Sequence, residues 1–251
     1  MQTFRFLVEY DGTAFAGWQA QAQGVRTVQG ELERAVAAVT GVAASVSGAG
    51  RTDAGVHAEG QLASAQLETH LDPVTLQRAL NAVLPPDLAV RELTLAAPDF
   101  WAIRDAHNKL YRYRVWNGPV RSPLRHRTHH WLRAPLDLGA MARAAATLIG
   151  QHDFASFETR GRENGAHGER GTVRTLLRAQ VEGEAGAEVR LDFEGEGFLR
   201  YMVRSLVGTL LEVGKGERPE NDLVRILAAR DRREAGPTVP AKGLVLLRVE
   251  A

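Results

Sequence analysis

Cysteine is absent from this chain. No disulfide framework and no thiolate metal site can form, which suits a reducing compartment. Lysine is scarce, occurring only at Lys109, Lys215 and Lys242. No apolar run approaches the length needed to span a bilayer, so no membrane segment is expected. The stretch from Met1 to Glu9 carries charge inside its apolar residues and lacks the layout of a signal peptide. A cytoplasmic protein is therefore expected. Excess charge of either sign is missing too: the net charge is +1, which announces no polyanionic partner. What remains is ordinary for a globular protein: 251 residues, 44% hydrophobic and 24% charged, enough for one large domain or two of usual size. Arginine far outnumbers lysine, and its planar fork suits phosphate contacts and stacking on bases. A GC-rich genome would produce the same bias.

One stretch organises the chain: Gly48-Ala49-Gly50-Arg51-Thr52-Asp53-Ala54-Gly55-Val56-His57-Ala58. Its glycines disqualify it as a helix interior or core strand. It reads as a shaped loop in which backbone comes close to something. Asp53 is central, and Arg51 nearby favours its ionised form, making it a candidate nucleophile or base. In isolation an Asp-Ala-Gly is more often a turn whose carboxylate bonds its own backbone.

Along the chain, Phe4, Phe6, Val8 and Tyr10 alternate with polar positions and predict a strand. Thr27 predicts a helix cap, followed by Val28, Leu32, Ala35, Val36 and Val39 and stopped by Gly41. A short strand is expected at about Ala43 to Ser47 and another from Gly60 to Leu67. Asp72-Pro73 starts a helix whose buried stripe is Leu76, Leu80, Val83 and Leu84. Leu88 to Ala96 is a strand whose alternation slips once, as at a bulge. The order is β-α-β-β-α-β, the ferredoxin-like split unit. The second half repeats it by pattern. There is a strand at Lys109 to Trp116 and a helix capped by Asp137, carrying Leu138, Met141, Ala145 and Leu148. Strands follow at Val173 to Val181 and Val189 to Phe193, then a helix over Phe198 to Val213 and a strand at Leu244 to Val249. A helix from Pro219 and a loop over 159–171 are insertions. The expected fold is α+β: a ferredoxin-like domain over 1–104 and a second over 105–251, their antiparallel sheets merged around a central cleft.

Tyr111 and Tyr113 alternate on a strand, which more often means packing than chemistry. His126, His129 and His130 could suggest a metal site, but they lie among Arg121, Arg125 and Arg127 with no cysteine or carboxylate. They read as a basic surface segment. His57 as a ligand or base is the weaker reading of that residue.

The Gly50–His57 run resembles, without a gap, the G-R-T-D-x-G-V-H signature of the TruA family of tRNA pseudouridine synthases. Tyr10 to Gln19 resembles that family's Y-D-G-x-x-F-x-G-W-Q motif. Lys109-Leu110-Tyr111-Arg112-Tyr113 is similar to its K/R-x-Y-x-Y strand. Phe198 to Arg204 is similar to its F-L-x-x-M-V-R helix, and Gly243 to Leu246 to its closing G-L-x-L strand. The resemblance covers nearly the whole chain. It implies an enzyme that isomerises uridine to pseudouridine in the anticodon stem-loop of tRNA, at tRNA positions 38, 39 and 40. It implies Asp53 as catalytic nucleophile, Arg204 as its paired cation and Tyr111 as the platform on which the target base stacks. Leu244 would stand at the pocket wall and Arg51 would turn toward RNA. No cofactor and no metal are implied; the expected partners are tRNA and a second copy in a homodimer. Two other classes stay open on the residues alone. One is a non-catalytic RNA-binding module, against which an arginine-flanked aspartate argues. The other is a metal-dependent nuclease or phosphatase using Asp53, His57 and the later histidines His126, His129 and His130.

Overall fold

A computed structural model describes residues 1–22, 24–159 and 171–251. Their contacts divide into two compact units, Met1–His107 with Val245–Ala251, and Asn108–Leu244. Both mix helices with mainly antiparallel strands, the α+β class expected.

The first unit runs β1 (Gln2–Tyr10), α1 (Val28–Thr40), β2 (Val46–Gly48), β3 (His57–Leu67), α2 (Pro73–Val83) and β4 (Leu88–Leu95), with a short α3 at Ala102–Asp105. Its sheet has β1 between β4 and β3, both antiparallel to it. The far edge of β3 is shared. β2 pairs antiparallel with residues 63–65, and β10 (Leu244–Glu250) pairs parallel, Val245 with His57. Helices α1 and α2 each start where a side chain takes up orphan amides. Thr27 accepts from Gly30 N–H at 3.2 Å, and Asp72 from Val74 and Thr75 at 3.0 and 3.1 Å. Gly41 closes α1 in the left-handed region, φ 76°. Phe4, Phe6 and Val8 of β1, Val28, Leu32 and Val36 of α1, and Leu76 and Leu80 of α2 are all buried. Val83, expected in that stripe, is 52% exposed, because α2 ends there and the chain turns out toward Pro85. The bulge expected in β4 is present. The pairing Arg5 with Thr94 is followed by Leu7 with Arg91, and Glu92 takes φ +49°.

In the second unit β5 (Asn108–Trp116) pairs with β9 (Glu188–Gly195), β9 with β8 (Val173–Gly183) and β8 with β7 (Gly150–Asp153), all antiparallel. A two-residue β6 (His130–Trp131) lies parallel on β5. Asp137 caps α4 (Leu138–Ala146) through Ala140 N–H at 2.9 Å. The helix expected from Phe198 begins later. α5 is Met202–Gly214, because Tyr201 takes φ +61° and interrupts the helical path. Pro219 precedes α6 (Asp222–Ala229), which buries Leu223, Ile226 and Leu227. Most of the insertion expected over 159–171 lies outside the described residues.

Candidate active site

The hairpin between β2 and β3 ends in the Asp53 loop. Its last antiparallel rung is Ala49 N–H to Leu62 O at 2.8 Å. Beyond it the chain turns back on itself, Val56 N–H donating to Asp53 O at 3.1 Å. Asp53 is half-buried and Arg51 is exposed.

A second loop, the residues after β1, is interlocked with this one. Trp18 N–H donates to Thr52 O at 3.1 Å and Gly55 N–H to Phe15 O at 3.3 Å. Two glycines permit that approach. A Cβ on Gly12 would lie 2.0 Å from Val56 O, and Gly17 sits at φ +107° against Thr52 O. Arg26 holds the same loop from outside. It stacks over Phe15, 4.2 Å from the ring centroid, and forks onto Asp87 at 2.7 and 2.8 Å. His57 is buried, and its Nδ1 accepts from Gly12 N–H at 3.1 Å. Asp11 Oδ1 is 3.2 Å from the same nitrogen. The histidine tethers the first loop.

Below the loop, Tyr10 shares a 2.8 Å hydrogen bond with Thr52 Oγ1, and Gln61 Nε2 donates to Gly50 O at 2.7 Å. Burial pushes the Tyr10 hydroxyl far above its ordinary range, so it stays neutral. Sequence reasoning missed Tyr10, Thr52 and Gln61 as functional. Tyr10 and Thr52 lie within the two motif runs, while nothing in the sequence singled out Gln61.

In the second unit, Tyr111 is buried on β5 with its ring edge-on to Phe198, centroids 5.1 Å apart. Arg204 lies on the first turn of α5. Its Nε donates to Val239 O at 2.8 Å, and its guanidinium lies 4.9 Å from the Tyr201 ring centroid. Tyr113 has its hydroxyl on Pro240 O at 2.8 Å, and burial raises its pKa well above the usual value. The segment Thr238–Pro240 is thus pinned between β5 and α5, and Arg204 is oriented through it. Leu244 is buried at the start of β10. The three neighbouring histidines separate. His126 faces Pro123 O at 2.9 Å, His129 faces Glu188 at 3.3 Å and His130 packs edge-on to Tyr113. His129 is buried rather than on the surface, and desolvation draws its pKa down against the pull of Glu188. Among the described residues no cluster of His, Cys, Asp and Glu could hold a metal ion.

A family profile described as tRNA pseudouridine synthase matches residues 6–100 and 144–250. The chain is 48% identical over 244 residues to tRNA pseudouridine synthase A of Thermus thermophilus, covering 97% of this chain and 94% of that one. It is 44% identical over 249 residues to the Myxococcus xanthus protein of the same name, covering 99% and 92%. Against that of Syntrophotalea carbinolica it is 43% identical over 249 residues, covering 99% and 96%.

Proposed function

The chain belongs to the tRNA pseudouridine synthase family, and from that membership we propose that Asp53 is the nucleophile with which it modifies the anticodon stem-loop, at tRNA positions 38, 39 and 40. The enzyme is an isomerase that converts uridine to pseudouridine in tRNA, which sets aside a non-catalytic binding module. The reaction breaks the bond from N1 of uracil to C1′ of ribose, turns the ring and joins C5 to C1′. The proton on C5 leaves and N1 gains one, so nothing is oxidised and no group is imported. A carboxylate that adds to the ring or to C1′ and later departs completes that balance.

The observation that carries the proposal is the support of the Asp53 loop. Its main chain is tied to the first loop at Thr52 and Gly55 and to β3 at Gly50. A nucleophile on a loop held at so many points needs little reorganisation to attack. Arg204 is the second catalytic residue, its guanidinium oriented by Val239 O. Tyr111 offers the flipped base an aromatic face, worth about 1–3 kcal/mol against the cost of unstacking. Arg51 meets the RNA backbone and Leu244 closes the wall of the base pocket. We read the enzyme as a cytoplasmic homodimer, on the resemblance to its family.

The test is to map pseudouridine in tRNA transcripts treated with the enzyme. The proposal expects new pseudouridine at positions 38, 39 and 40 with wild type and none with Asp53→Asn. Modification confined to another arm of the tRNA would contradict the stem-loop assignment.

A further inference from the structure

Beneath the Asp53 loop lies a set of buried polar groups on which the chemical step makes no demand. Gln61 is fully buried, and its amide Nε2 grips Gly50 O at 2.7 Å. Tyr10 is 3% exposed and its hydroxyl meets Thr52 Oγ1 at 2.8 Å. The two anchors fall at either end of Gly50–Thr52, the tripeptide that leads into Asp53. Thr52 is held a second time, at its carbonyl, by Trp18 N–H at 3.1 Å. A bulge makes this possible. The pairing Val8 with Gln61 is followed by Tyr10 with Ala58, so β3 carries an extra residue there, which re-aims its side chains. Apolar side chains would fill the same interior without any polar group to satisfy. One of these groups is in fact left unsatisfied: Gln61 Oε1 makes no hydrogen bond. An interior that keeps an amide, a phenol and a hydroxyl despite that defect is built to direct the main chain above it.

We propose that Gln61, Tyr10 and Thr52 are positioning residues that set where the Asp53 carboxylate stands, without touching substrate. The inference rests on Asp53 being the nucleophile. Gln61 fixes the plane of the Gly50 carbonyl. The Tyr10 hydroxyl fixes the Thr52 side chain while Trp18 fixes its carbonyl, and the Asp53 backbone begins at the next bond. A displacement of about 1 Å at an attacking atom costs on the order of a hundredfold in rate.

The test uses the full chain carrying Tyr10→Phe, Gln61→Met or both, beside Asp53→Asn. Phenylalanine keeps the ring that packs near Phe15 and Trp18, centroids 6.3 and 6.2 Å away, and methionine keeps the length of glutamine. Three quantities are read: single-turnover rate on a tRNA transcript, tRNA Kd and thermal midpoint. Each single variant is expected to lose roughly ten- to a hundredfold in rate, with Kd within about twofold and the midpoint little changed. The double variant should be only slightly slower than the slower single one, because the groups act as a unit. Rates within about threefold of wild type would overturn the proposal. So would a loss of rate that follows weaker tRNA binding or a lower midpoint, since that marks a structural role alone. If Tyr10→Phe does not fold, Thr52→Val removes the other hydroxyl at constant shape and is judged by the same criteria. Turnover by Asp53→Asn would instead sink the nucleophile assignment. An inactive Asp53→Asn beside a fast Tyr10→Phe would sink only the positioning role.

Discussion

Arg204 shows at the residue scale what a guanidinium does that an ammonium cannot. One edge is anchored by Nε on Val239 O, and the plane lies near the Tyr201 ring. Lysine keeps the charge but has no second edge to present once anchored. Arg204→Lys is expected to lose at least about tenfold in single-turnover rate with tRNA Kd little changed, the pattern of a group that acts in the transition state. A rate close to wild type would remove Arg204 from the catalytic set. Asp53 and Arg204 could be proposed from the sequence because each sits inside a run of several matching residues. Tyr10 and Thr52 also fall inside such runs, but their convergence with Gln61 was not readable, because it depends on a bulge between β1 and β3 that no local pattern records. The orientation of Arg204 through Val239 was hidden for the same reason: the partner comes from a distant segment.

Among the elements, the interlocked loops make a sharper prediction than either loop alone. Gly12 stands where any Cβ would meet Val56 O at 2.0 Å, and backbone on both sides leaves little room to yield. Gly12→Ala should therefore push the Asp53 loop aside and abolish most activity, on the order of a hundredfold, in a protein that still folds cooperatively. Near-normal activity would show that the loops can separate without harm. The Arg26–Asp87 fork adds a pH dependence. Arg26 holds the Asp87 carboxyl below its usual range. The stability it contributes is thus fully present above the unfolded pKa of about 3.9 and is lost as pH falls through the depressed folded value. Both side chains are partly solvated, so the contribution is below about 1 kcal/mol. Asp87→Asn should lower stability near neutral pH by that amount and converge with wild type in acid; a constant difference at all pH values would rule out this linkage. Helix starts at Thr27, Asp72 and Asp137 were legible because a cap is a local event. The late start of α5 was not: the left-handed Tyr201 has no sign in residue type, since tyrosine rarely adopts it.

For the whole molecule, charge and assembly are the properties a sequence states least directly. The net charge is only +1, yet the substrate is a polyanion. tRNA binding is expected to weaken steeply with salt, each phosphate contact adding roughly 0.7 to 0.9 to the log–log slope. Arg51 is proposed as one such contact; Arg160 and Arg162, which would add to it, lie outside the described residues. A flat slope would mean that no basic surface meets the RNA. Sedimentation at micromolar concentration should find a dimer, and a monomer would refute the assembly proposed. The β-α-β-β-α-β order of the first unit was legible because periodicity is carried by every element, whereas the short strands β6 and β7 of the second unit left no such pattern. The grouping of the last strand with the first unit follows from Val245 pairing with His57, a contact far apart in sequence that pattern alone does not encode.

The central claim is that Asp53 is the nucleophile, and release of tritium from C5-labelled uridine in tRNA tests it most directly, because C5 loses its proton only when the isomerisation proceeds. Wild type should release tritium in step with pseudouridine formed. Asp53→Asn should release none above background while still binding tRNA, because the amide keeps the shape but is a far poorer nucleophile. Release by Asp53→Asn at more than about a hundredth of the wild-type rate, beyond what loss of a mere positioning or proton-transfer group would leave, would contradict the account.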